Sequence, residues 1–164
     1  IFARHIKKKI KTNNLICVAP DVGGTARARA LGKMLNIDLA IIDKRRPKPG
    51  KSEVMNVIGK VNNKTGIIVD DIIDSGGTIV NAAKALKNNG AKDVHVYCSH
   101  GVLSGNAVEK IKNSKVKNLV ITDTIDNISK VKKAKNIEIL TISHLVGEAI
   151  KRISNSTSVS DLFN

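Results

Sequence analysis

Aromatic residues are almost missing from this chain. Its 164 residues contain no Trp, one Tyr and two Phe. Stacking platforms for single-stranded nucleic acid are therefore nearly unavailable, and the core must be built from Ile, Val, Leu and Ala. Cysteine is equally scarce. Cys17 and Cys98 each sit in an apolar, strand-like run, with no CxxC pattern and no His/Cys cluster to suggest a metal. The expectation is two buried free thiols in a reducing compartment. Long hydrophobic runs are also lacking. Apolar stretches are strand-sized, with no spanning helix and no signal-peptide pattern, so a cytoplasmic protein with no membrane partner is expected. Acid is the last shortage: 14 Asp and Glu stand against 28 Lys and Arg, a formal net charge of +14. Nucleic-acid binding, steering of an anionic metabolite and compositional drift all fit that excess, with nucleic acid the least favoured.

What is present reads as one α/β domain over residues 1–164. The basic stretch Arg4 to Lys11 reads as the tail of a helix whose beginning is missing, running straight into the first strand. Together with the non-Met Ile1, it suggests a fragment. Apolar runs at Leu15–Pro20, Leu39–Asp43, Ile67–Val69, Val94–Cys98, Leu119–Thr122 and Ile139–Ile142 alternate with helical patterns. The helices are expected at Thr25–Leu35, with Ala26, Ala30, Leu31, Met34 and Leu35 on one face, at Ile79–Asn89, at Ala107–Ile111, and at His144–Ile153 with Leu145, Ala149, Ile150 and Ile153 turned inward. Such alternation indicates a mostly parallel sheet flanked by helices, with ligands beyond the carboxyl ends of the strands.

The segment Asp70-Asp71-Ile72-Ile73-Asp74-Ser75-Gly76-Gly77-Thr78 lies at one such end. Gly76 and Gly77 let the backbone curl toward a ligand. The helix that follows aims free N–H groups at the same point, and Ser75 and Thr78 add hydroxyls. Asp70 and Asp71 suit sugar hydroxyls or Mg²⁺. The plainer reading makes Asp74 a helix N-cap and the glycines a tight turn. The loop is neither a Walker A nor a GxGxxG.

This loop resembles the phosphoribosyl-pyrophosphate (PRPP) signature of the type I phosphoribosyltransferase fold. Ala19-Pro20-Asp21-Val22-Gly23-Gly24 with Ala26-Arg27-Ala28-Arg29-Ala30, Ile41 to Pro47, Ser52 to Asn56, Ser104 to Ala107, Asp123-Thr124-Ile125 and the tail from Glu148 to Phe163 narrow the resemblance to the ribose-phosphate pyrophosphokinases. The resemblance covers nearly the whole chain and implies a C-terminal domain without its N-terminal partner. It implies transfer of a diphosphoryl group from ATP to ribose 5-phosphate, giving PRPP and AMP, with Mg²⁺ as cofactor.

By the resemblance Lys44 and Arg46, in the basic run Lys44 to Lys51, are catalytic. Asp74, Ser75, Gly76, Gly77 and Thr78 hold the 5-phosphate, Asp70 and Asp71 the ribose, and Asp21 the metal, where an N-terminal cap is the plainer reading. It implies a homo-oligomer, or association with a missing N-terminal half. His100 reads as more structural than ligand-binding, Ser104 to Asn106 as a helix cap, and His5, His95 and His144 as incidental. Ser158, Ser160 and Phe163 match a tail that in the family packs near a regulatory site. The alternatives are a phosphoribosyltransferase using PRPP and a non-catalytic PRPP-binding regulatory subunit.

Overall fold

The structure, a computed structural model, describes residues 1–45 and 54–163. Its first helix, α1 (Phe2–Lys9), is followed by β1 (Leu15–Ala19), α2 (Thr25–Leu35), β2 (Asp38–Arg45), β3 (Val54–Ile58), β4 (Thr65–Ile73) and α3 (Gly77–Asn88). Then come β5 (Asp93–Gly101), α4 (Ala107–Lys112), β6 (Asn118–Thr122), α5 (Ile128–Val131), β7 (Ile137–Leu140), α6 (Ser143–Ser154) and a 3₁₀ turn, Ser160–Phe163. Among the described residues these strands form one sheet in the order β3-β2-β1-β4-β5-β6-β7. Every neighbouring pair is parallel except β2 with β3.

That order has a consequence for ligands. From β1 the chain moves outward to β2, and from β4 it moves outward to β5 on the other side. The two connections diverge and leave a crevice beyond the carboxyl ends of β1 and β4, the place where open α/β sheets bind ligands.

The strands are apolar on both faces because both faces are covered. On β1, Ile16 and Val18 enter one core and Cys17 and Ala19 the other; on β4, Ile68 faces the first core and Ile67 and Val69 the second. The first core receives Ile79, Ala82, Ala83 and Leu86 of α3. The second receives Ile6 of α1 and Ala28 and Leu31 of α2. Both cysteines are buried free thiols. Burial raises Cys17 to about 11 and Cys98 to about 12, so both are packing residues rather than nucleophiles.

Several expectations need correction. The basic N-terminal stretch is helical only as far as Lys9 and does not run straight into the first strand, since residues 10–14 intervene before β1. Helix α2 buries Ala28, Leu31 and Gly32, while Ala26, Ala30 and Met34 are exposed. Gly32 explains this choice of face. A Cβ there would stand 3.1 Å from the Ile37 carbonyl oxygen and 3.5 Å from Cys17 Cβ, so the glycine lets the helix sit close on the sheet. Helix α6 buries none of its residues: Ile150 and Ile153 are more than 60% exposed, and Leu145 is partly open. The last strand begins two residues early, at Ile137. Strand β3 and the single turn α5 carry too little periodicity to have been anticipated.

His5 is not incidental. Its Nδ1 lies 3.1 Å from the Tyr97 hydroxyl and its Nε2 3.2 Å from Glu138 Oε1, which ties α1 to β5 and β7. Among the described residues no helix is long and apolar enough to cross a membrane.

Candidate functional site

The turn from β4 into α3 dominates the crevice. Gly76 adopts φ +76°, the left-handed conformation that a side chain disfavours. It also packs where a Cβ would meet the Ile111 side chain at 3.3 Å. The helix is capped by Gly76 with no side-chain hydrogen bond. Asp74 is therefore not the N-cap, while the left-handed Gly76 does make the tight turn of the plainer reading. An uncapped helix start leaves N–H donors and the positive end of the helix dipole directed at whatever occupies the crevice.

Neighbouring segments brace this loop. Leu103 N–H donates to the Ile73 carbonyl and Ser104 N–H to the Asp74 carbonyl, each at 3.1 Å. Segment 104–106, expected as a side-chain cap for α4, makes no such cap; the Ser104 backbone instead braces the loop from β4 into α3. Lys110, on α4, reaches the Ser75 carbonyl oxygen at 3.5 Å. A cation beside the loop was not legible in the sequence, because α4 and β4 are far apart along the chain.

A cavity of about 320 Å³ opens here, lined by Asp21, Asp70, Asp71 and the whole of Asp74 to Thr78. The structure thus brings together eight of the ten anticipated site residues, contributed by the ends of β1 and β4. Asp21 Oδ1 accepts the Gly24 N–H at 2.8 Å, so one of its oxygens shapes the turn into α2. The acidic pair is organised by a residue that the sequence did not single out. Arg27 donates from Nη1 to Asp70 Oδ1 at 2.8 Å and pairs through Nη2 with Asp71 Oδ2 at 2.6 Å. Burial pushes Asp70 above the usual carboxylate range. Asp71 is held below it: its slight burial opposes this, but hydrogen bonding with Asp70 and the Arg27 charge prevail.

Lys44 stands apart from this cavity, near the end of β2. Ile41 pairs with Ala19, the last residue of β1, so Lys44 projects past it on the ligand side of the sheet. Arg46 lies outside the described residues. His100 pairs with Ile72 across β4 and β5, but its side chain serves another place: Nδ1 is 3.0 Å from Thr124 Oγ1, on a separate cavity of about 310 Å³ with Ser99, Thr122 and Ile142. Among the described residues no cluster of three or more His, Cys, Asp or Glu forms a ready-made metal cage.

Residues 45–164 match the family described as the phosphoribosyl synthetase-associated domain. The chain belongs to the ribose-phosphate pyrophosphokinase family. It is 54% identical, over its full length, to a ribose-phosphate pyrophosphokinase of Brucella melitensis biotype 1, of which it covers 53%. The crystal structure of phosphoribosylpyrophosphate synthetase from Mycobacterium smegmatis superposes with a TM-score of 0.85 at 31% identity, covering 94% of this chain and 50% of that one. A purine phosphoribosyltransferase from Pyrococcus horikoshii Ot3, at 22% identity and a TM-score of 0.52 over 85% of this chain and 81% of that one, shares the fold. The sheet is accordingly that of the type I phosphoribosyltransferase fold. This pyrophosphokinase-family chain spans about half the length of the curated relatives it matches.

Proposed function

We propose that this chain is the C-terminal, sugar-phosphate-holding domain of a ribose-phosphate pyrophosphokinase, acting in the reaction of ATP with ribose 5-phosphate to give PRPP and AMP. One observation carries the reading. An uncapped helix start with a left-handed glycine opens into the same cavity as Asp70, Asp71 and Asp21. That arrangement suits a molecule with a phosphate at one end and hydroxyls at the other.

In this reading the N–H groups of Gly77 and Thr78 and the hydroxyls of Ser75 and Thr78 hold the 5-phosphate. Asp70 and Asp71 accept hydrogen bonds from the ribose hydroxyls and fix the sugar so that its C1 hydroxyl faces the polyphosphate. The C1 oxygen attacks the β-phosphorus of ATP, the bond from that phosphorus to the oxygen bridging to the α-phosphorus breaks, and AMP leaves with that oxygen. Lys44 and Arg46 neutralise the charge on the moving diphosphoryl group, which is the main demand of such a transfer. The Asp21 carboxylate suits Mg²⁺, a hard cation that binds through one or two carboxylates and completes its shell with water and substrate oxygens. Bound there, Mg²⁺ would screen the polyphosphate.

The exposed apolar residues of α2 and α6, Met34, Ile150 and Ile153 among them, support association with another domain or with further copies. The phosphoribosyltransferase alternative has the shared fold in its favour but no base-binding element among the described residues.

Calorimetric titration with ribose 5-phosphate and Mg²⁺ tests the reading. The wild-type chain is expected to bind saturably, and an Asp74→Ala, Thr78→Ala double variant to lose at least about tenfold in affinity, the loss expected when the Thr78 hydroxyl's hydrogen bond to a charged phosphate is removed. A folded wild-type chain that binds nothing would refute the assignment.

A further inference from the structure

Consecutive residues of a strand ordinarily project to opposite faces of the sheet. Asp70 and Asp71 are consecutive residues near the carboxyl end of β4, yet both carboxylates reach one guanidinium, at 2.8 and 2.6 Å. The end of the strand is turned to allow this. Asp70 Oδ1 also accepts the Asp71 N–H, and Asp71 Oδ1 accepts the Ile72 N–H, each at 2.9 Å. Arg27 comes from the first turn of α2, whose entry is fixed by the Asp21 contact to Gly24. The fork therefore bridges the crevice, from the turn after β1 to the tip of β4.

Two adjacent carboxylates repel each other and invite either a proton or a divalent cation. A guanidinium removes that invitation, because it stays charged and its planar fork takes one oxygen from each partner. Lone pairs remain on both carboxylates to accept hydroxyl protons. We propose that Arg27 is a positioning residue that presents Asp70 and Asp71 as a paired acceptor for vicinal sugar hydroxyls, so that the site selects ribose over 2-deoxyribose phosphates, while withholding the pair from divalent cations. This rests on the sugar-phosphate reading given above.

The test compares wild type, Arg27→Gln and Arg27→Lys by calorimetry with ribose 5-phosphate, 2-deoxyribose 5-phosphate and inorganic phosphate. Mn²⁺ binding to the ligand-free chain is followed in parallel by electron paramagnetic resonance. The wild type is expected to favour the ribose compound by about 10- to 100-fold, the value of one hydrogen bond to a charged group. Arg27→Gln loses most of that preference, keeps its affinity for inorganic phosphate, and binds Mn²⁺ about tenfold more tightly, since a counter-charge has gone. Arg27→Lys retains the charge without the fork, so its preference falls while its Mn²⁺ affinity stays near wild type.

A Gln variant with undiminished preference and unchanged Mn²⁺ binding would overturn the proposal. If the Gln variant loses inorganic phosphate as well, its loop is disturbed and the Lys variant decides: an undiminished preference there overturns the proposal. If the wild type binds neither sugar phosphate, the functional reading fails, and the Mn²⁺ comparison by itself upholds or overturns the withholding of the pair.

Discussion

Gly76 shows how much one residue carries in this site. Its φ of +76° and the Ile111 side chain 3.3 Å from any added Cβ act against substitution together. Gly76→Ala is expected to cost about 1–2 kcal/mol in urea unfolding from the left-handed backbone alone, and to weaken sugar-phosphate binding by displacing the helix start. His95 provides a pH signature. Burial first, and the nearby Lys117 charge second, lower it from the ordinary imidazole value of 6.5. The folded chain thus holds His95 neutral where the unfolded chain takes up a proton. Stability should be fully present well above the ordinary value, and should decline as pH falls through it toward the lowered value of the folded chain. Thermal unfolding of wild type and His95→Gln across that range checks the sign: the variant should show the shallower decline. Cys17 and Cys98, fully buried with raised pKa values, should resist thiol reagents until the chain unfolds.

At the scale of elements, α2 and α6 show that an apolar stripe does not by itself say which way a helix turns. In α2 the stripe of Ala26, Ala30 and Met34 faces outward, and Leu31 with Ala28 faces the sheet. Leu31→Ala should therefore destabilise the chain by about 2–4 kcal/mol. Ile150→Lys in α6 should stay within about 0.5 kcal/mol, because it removes no buried contact. Paired denaturant curves measure both. Equal costs would mean that α6 packs against the sheet after all, and its stripe would then no longer support the proposed association.

At the scale of the molecule, the excess of positive charge sets the response to salt. With 28 basic and 14 acidic residues, the folded chain repels itself, and the proposed sugar-phosphate site lies within that field. Raising salt from about 0.02 to about 0.2 M brings the screening length to about 10 Å or less. The melting temperature should rise while ribose 5-phosphate binds more weakly. If both fall, the charge is balanced locally and long-range repulsion plays no part.

Much of the architecture was legible before folding. The alternation of β-branched runs with amphipathic segments indicated the parallel sheet, because strands buried on both faces must be apolar throughout. The loop from Asp70 to Thr78 was legible because local backbone demands, glycines at a left-handed turn followed by a helix start, are written in consecutive residues. So was the position of Asp21 after β1. The strand order was not legible, since nothing in a strand's composition names its neighbours. It is this order that makes β1 and β4 adjacent and sets Asp21, Asp70 and Asp71 around one cavity. The Arg27 fork, the Lys110 contact with the loop and the bracing by Leu103 and Ser104 depended on packing between segments distant along the chain. The sequence by itself determined most of the elements, the glycine turn into α3 and the family, because these follow from short-range chemistry and ordered motifs. Tertiary structure decided which faces were buried and which charges met, because those depend on contacts that exist only once the sheet has closed.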